Sequence, residues 1–191
     1  MKFKTIELIA ELIEKTRINI NKVEKLRELS EKELNYKENT EKWSVLECIE
    51  HLNLYGDFYN PEIRKNIETS HSKPSERFKS GIIGNYFVNT MLPKNKLNKM
   101  KTFKDKNPLG SSLNINVIDR FISQQKEFLE LIEKSKNINF AKTKTAISMS
   151  KLIKLKLGDT FRFILAHNTS RKCNKNSQQV TKCKNNKGFS A

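Results

Sequence analysis

Apolar residues recur in steps of three and four along the first part of the chain. Ile6, Ile9, Ile13, Thr16, Ile20, Val23 and Leu26 fall on one stripe, with Glu and Lys filling the other faces. This spacing follows the 3.6-residue period and predicts an amphipathic helix over about Thr5–Leu29. Ser30, with Glu33 three residues on, is placed to start a short turn. A second stripe, Val45, Ile49, Leu52, Tyr59, Ile63 and Ile67, predicts a helix over about Ser44–Glu68. Ser44 and Glu47 have capping-box spacing at its start, and Trp43 precedes the cap as a hydrophobic staple. Pro61 has no amide to bond the Asp57 carbonyl, so a kink or an end to the regular helix is expected there.

A third stripe, Ile118, Phe121, Gln125, Phe128 and Ile132, predicts a helix over about Val117–Ser135. Thr143–Ile147 reads as a β-branched connector, and the pattern of Lys151–Lys156 leaves helix and non-helix open. A fourth helix is predicted over Gly158–Asn168, with Asp159 as a cap, Phe161, Ile164, Leu165 and Asn168 on one face, and Phe163 and His167 on the next. Residues 71–112 hold Pro74, Pro93, Pro108, Gly81, Gly84 and Gly110. Apart from a short helix near Ile82–Met91, that stretch reads as a long crossover with too few apolar residues for a core of its own. The expectation is an all-α four-helix bundle over residues 1–170 with a long middle crossover. After Ser170 the stripe stops, and residues 171–191 read as a solvated basic tail.

Composition sharpens this picture in three places. The chain of 191 residues carries 37 Lys+Arg against 21 Asp+Glu, a net charge of +16, and residues 134–191 hold +13 of it. The excess is mostly Lys with little aromatic interleaving, which points away from specific nucleic-acid recognition. It leaves open a non-catalytic bundle that binds an anionic partner through its basic C-terminal part. No apolar stretch is long enough to span a bilayer, and Glu7, Glu11 and Glu14 interrupt any signal-peptide core, so no membrane partner is expected. Cys48, Cys173 and Cys183 have no paired spacing, so the chain reads as cytoplasmic and reduced. Cys48 lies between Glu47 and Ile49 in an apolar helix and reads as a small core residue, not a nucleophile.

Three histidines remain. His51 borders the apolar stripe of the second helix, His167 lies near the end of the fourth, and His71 is in a polar Ser-His-Ser-Lys-Pro segment expected to face solvent. Two inward histidines on facing helices suit a metal site, though a stable one needs a third ligand, and ordinary hydrogen-bonded histidines at a helix interface have the same pattern.

The run Trp43-Ser44-Val45-Leu46-Glu47-Cys48-Ile49-Glu50-His51-Leu52 resembles the W-S-x-x-E-x-x-x-H-L signature of the DinB/YfiT-like family. Leu157-Gly158-Asp159 through Arg162 to His167-Asn168 resembles the last helix of that family, L-x-D-x-x-R-x-x-x-x-H-N. The resemblance implies an up-down-down-up four-helix bundle and a divalent metal (Zn, Ni or Mn) held by three histidines, of which His51 and His167 match two. It implies a metal-dependent enzyme of thiol S-transferase or hydrolase type acting on a small molecule or thiol. It leaves a homodimer open. The third ligand is missing: four residues after His167 stands Arg171, and with one inserted residue Lys172, neither a metal ligand at neutral pH. A frameshift near codon 169 and a divergent, inactive member with weak metal binding both account for this departure.

Overall fold

The computed structural model describes residues 1–92 and 102–169. Among these, helix dominates, with two small two-stranded ribbons. Strand β1 (Lys2–Lys4) leads into α1 (Thr5–Glu24), which tightens into a 3-10 turn over Lys25–Glu28. The short α2 (Glu31–Leu34) and the long α3 (Val45–Glu68) both start from complete capping boxes, Ser30 with Glu33 and Ser44 with Glu47. Strand β2 (Arg77–Lys79) and α4 (Ile82–Met91) lie in the crossover. A 3-10 turn (Lys104–Lys106) then precedes α5 (Asn116–Lys134). Strands β3 (Lys144–Ile147) and β4 (Ser150–Lys156) lead directly into α6 (Leu157–Asn168). The residues expected to form a solvated tail lie outside the described residues.

Helix α3 continues through Pro61 and does not end there. Side chains on either side of the proline hold α3 to α5. Asn60 donates to the Gln124 carbonyl at 3.0 Å and to Glu127 Oε2 at 2.9 Å, and Arg64 pairs with Glu127 at 2.6 Å. These contacts offset the single backbone bond that proline deletes.

Two apolar clusters lie along the same helices. One gathers Leu8, Ile9 and Leu12 of α1, Tyr59 and Ile63 of α3, Phe128, Leu131 and Ile132 of α5, and Phe161 and Leu165 of α6. The other gathers Ile20, Leu34, Val45, Leu46, Ile49, Ile118 and Phe121 from α1, α2, α3 and α5. Thr16, Asn53 and Gln125 are buried polar residues on α1, α3 and α5. Asn168 of α6 donates to Gln125 Oε1 at 3.0 Å.

The ribbons are the main departure from the sequence pattern. β1 pairs antiparallel with β2, Phe3 opposite Phe78, and Phe78 is buried in the first cluster. The crossover therefore contributes to the main core through Phe78 and Val88. The connector at Thr143–Ile147 and the undecided stretch 151–156 form the antiparallel ribbon β3–β4, irregular between Ala146 and Ile147. Two side chains of α3 accept from the backbone beside β3: Glu62 Oε1 from the Ala146 amide at 2.7 Å, and the Tyr59 hydroxyl from the Ser148 amide at 3.3 Å.

Asp159 does not cap α6. The residue preceding the helix is Lys156, whose side chain makes no cap bond. The Asp159 carboxylate, fully buried, turns instead to the crossover, accepting from Ser80 Oγ at 2.5 Å and the Gly81 amide at 2.8 Å. Arg162 pairs with it at 3.2 Å and lies 4.6 Å from the centroid of the Phe3 ring. A buried carboxylate needs several donors, and the start of α4 supplies two that an N-cap position lacks.

Candidate metal centre

His51 sits two turns into α3 because the Ser44–Glu47 box fixes where that helix begins. His167 sits in the last turn of α6. Both are buried, each 8% exposed, and their Nε2 atoms face one another at 3.1 Å. His51 Nδ1 lies 2.6 Å from the Lys106 carbonyl oxygen. A carbonyl only accepts, so Nδ1 carries the proton and Nε2 turns its lone pair toward His167. A backbone carbonyl on the far nitrogen is also the usual means of orienting an imidazole ligand.

The Lys106 carbonyl is itself placed by the segment that follows. Pro108 is buried, and the Gly110 amide donates to Glu47 Oε1 at 2.6 Å. Glu47 Oε1 also accepts from Lys37 at 2.5 Å, while Oε2 accepts from the Ser44 amide at 2.8 Å. Glu47 thus closes the capping box and binds the loop that bears on His51. Its carboxylate is 1% exposed and committed to these three donors.

Aromatic rings enclose the pair. The Trp43 ring lies 4.7 Å from His51, Tyr55 lies 5.0 Å from His51 and 4.6 Å from His167, and Phe163 stacks on His167 at 6.0 Å with 6° between planes. Trp43 therefore packs on the imidazole one side of the site, in addition to preceding the cap. Burial, with smaller contributions from Tyr59 and Asp105, pushes the Tyr55 phenol up to about 12, so it stands beside the histidines as a neutral group.

Two imidazole nitrogens bound to one ion at about 2.0–2.1 Å lie about 3.0–3.4 Å apart for the usual ligand angles. The observed 3.1 Å falls in that range. The donor set fits two coordination positions of a borderline divalent ion. Among the described residues no group of three His, Cys, Asp or Glu side chains is close enough to hold an ion. Arg171 and Lys172, where the third ligand is expected, lie outside the described residues, as do six of the fourteen Lys and Arg of residues 134–191. His71 is exposed and Cys48 is buried beside the capping box, as the sequence suggests. The sequence reading did not identify the Lys106 carbonyl, because a backbone acceptor leaves no mark in a pattern of side chains. Pro108 and Gly110, in the crossover just before α5, are the residues that could have pointed to it.

No helix among the described residues is long and apolar enough to cross a membrane. A sequence model of the DinB superfamily matches residues 12–170, more than half of the chain, and the chain belongs to that superfamily. Both histidines lie within the match. No curated protein and no solved structure matches the chain.

Proposed function

We propose that this DinB superfamily member carries a divalent-metal site with two histidine ligands of its own, His51 and His167, on a four-helix bundle made by α1, α3, α5 and α6. The superfamily generally binds metal, and the observation that carries the reading is the 3.1 Å approach of the two Nε2 atoms with His51 Nδ1 held by the Lys106 carbonyl. The activity that suits such a site is thiol S-transfer or hydrolysis of a small molecule. A bound divalent ion there lowers the pKa of a coordinated thiol or water enough to give a nucleophile at neutral pH.

The residues present have definite tasks. The Lys106 carbonyl keeps the His51 proton on Nδ1, so Nε2 is the donor atom. Phe163 and Tyr55 hold the plane of the His167 ring and exclude water from two sides. Glu47 holds the loop that carries Lys106. Among the described residues only these two side chains are placed to hold an ion, and two histidines alone would hold it more weakly than three.

The test is a zinc titration of the full chain followed by imidazole nuclear magnetic resonance signals and by calorimetry. One equivalent of zinc should shift the signals of both His51 and His167. His51→Ala and His167→Ala should each abolish the heat of binding while leaving far-ultraviolet circular dichroism unchanged. Zinc binding that survives either substitution overturns the assignment.

A further inference from the structure

Large apolar side chains that face solvent gather on two neighbouring elements. Ile82, Ile83 and Tyr86 of α4 and Met149, Leu152 and Ile153 of the β3–β4 ribbon are all exposed, Ile82 at 93% and Leu152 at 94%. The first three share the face of α4 opposite Gly84 and Val88, which are buried. On β4, Leu152 and Lys154 alternate with Ile153 and Leu155, and Leu155 is buried, so Leu152 and Lys154 point outward. Helix α4 and strand β4 pack on one another and on α6. Lys156, at the end of β4, donates from Nζ to the Lys79 carbonyl at 2.8 Å, just before α4 begins. Near the other end of α4, Met91 lines one crevice with Met149, just before β4 begins. The helix therefore runs back along the strand, and the two apolar sets belong to one region of the surface. The charge around them has one sign. The sequence has no acidic residue between Glu76 and Asp105 or between Glu133 and Asp159, and each stretch holds seven Lys and Arg. Helix α4 lies in the first stretch and the ribbon in the second, where Lys79, Lys144 and Lys154 are exposed. Glu62, which reaches the ribbon from α3, is committed to the Ala146 amide.

We propose that this face seats on the surface of a bilayer rich in anionic lipid, with Ile82 and Leu152 entering the interface and the lysines among the headgroups. Side chains that protrude this fully suit a surface that yields around them. Apolar side chains gain nothing from a solvated polyanion such as nucleic acid, and lysines gain nothing from neutral lipid. A surface with an apolar interior and a negative charge uses both. A second copy of the chain would set lysines against lysines. The lack of an apolar stretch long enough to span, which made a membrane partner unexpected, bears on crossing a bilayer and not on seating against one.

Co-sedimentation of the full chain with vesicles tests this. Vesicles of phosphatidylcholine with about one-third phosphatidylserine should bind the chain, and phosphatidylcholine alone should bind it at least about tenfold more weakly. A chain of net charge +16 is drawn to any anionic surface, so the deciding variants leave the charge unchanged. Ile82→Ser combined with Ile83→Ser, and separately Leu152→Ser, should each lower partition onto the anionic vesicles by at least about threefold. Ile18→Ser, at an exposed apolar position on α1, should leave partition unchanged. All four positions face solvent, so far-ultraviolet circular dichroism of the variants should match the parent chain. The inference falls if neutral and anionic vesicles bind alike, or if either the α4 variant or Leu152→Ser partitions as the parent does, because charge alone then explains the binding. It falls if sedimentation velocity without lipid shows a dimer that the same substitutions dissociate. It falls likewise if polyglutamate binds the chain with the same losses in these variants, because the partner is then an acidic polypeptide.

Discussion

The Asp159 carboxylate occupies the space that a side chain at position 84 would need. A Cβ placed on Gly84 would lie 2.3 Å from Asp159 Oδ2 and 2.5 Å from its Cβ. The first turn of α6 and the first turn of α4 thus approach through a residue with no side chain on one and a fully buried charge on the other.

Gly84→Ala should therefore destabilise the protein, although alanine is the better helix former. Asp159 cannot move aside without losing Ser80, Gly81 and Arg162. The expected net loss is about 2–3 kcal/mol. Gly81→Ala, where the added Cβ meets Asp159 at 3.4 Å, should change stability by less than about 1 kcal/mol. Urea midpoints of the two variants give the comparison, and equal midpoints would show that the helices part easily.

Asp159→Asn keeps the shape and removes the charge. Arg162, little exposed, then loses its ionic partner, and one of the three donors facing position 159 meets an amide NH2. A loss of about 3 kcal/mol is expected. Ser80→Ala deletes a single donor and should cost about 1 kcal/mol. If both variants cost the same, the charge contributes nothing beyond the Ser80 bond.

Glu47→Ala should cost about 3 kcal/mol, because it opens the α3 cap and leaves the Gly110 and Ser44 amides without their acceptor. Lys37→Ala should cost about 1 kcal/mol or less, since Glu47 retains both backbone donors. Only the Glu47 variant should also shift the His51 imidazole signals, through the loop that carries the Lys106 carbonyl. A Glu47 variant that loses stability with the His51 signals unmoved would show that the loop is held by other contacts.

Acid should weaken the hold of α5 on α3. Burial raises the pKa of Glu127, but the hydrogen bonds from Arg64 and Asn60 and the charge of Arg64 outweigh it, so its carboxyl is held below the usual 4.5. A depressed carboxylate contributes stability that is present above its unfolded pKa and lost as pH falls through the lower folded value. Glu127→Gln should be less stable than the parent chain at pH 7, and the two should converge as pH falls through the lowered pKa of Glu127. Thermal midpoints across that range provide the measurement; equal midpoints at pH 7 would mean that the pair is too solvated to count, and a constant difference that the loss does not come from the charge.

The helices were legible because their stripes are long. α4 is observed at Ile82–Met91, as its sequence suggests, and α3, α5 and α6 begin within a residue of the expected starts. The ribbons were not, because three or four residues carry too little period to distinguish a strand from a connector. Lys2–Lys4 becomes a strand only because Phe78 arrives opposite Phe3, and that is decided by the tertiary fold. Asp159 looks like a cap from its neighbours in sequence, but two of its three donors, Ser80 and Gly81, lie almost eighty residues away. His51 and His167 were found because histidine is rare here and their neighbours match a family pattern, whereas the carbonyl that orients His51 has no side-chain signature.

The contacts of Glu62 and Tyr59 with the β3 segment bear on what the edge of the ribbon offers to another chain. A two-stranded ribbon ordinarily presents a row of amides that another chain can adopt as a template for a third strand. At Ala146 and Ser148 those amides already donate to a carboxylate and a phenol from α3. An incoming strand would have to displace both acceptors, and the Glu62 carboxylate would repel its carbonyls. The helix thus blunts the edge of the ribbon, a protection that would vanish with the paired replacement of Glu62 and Tyr59.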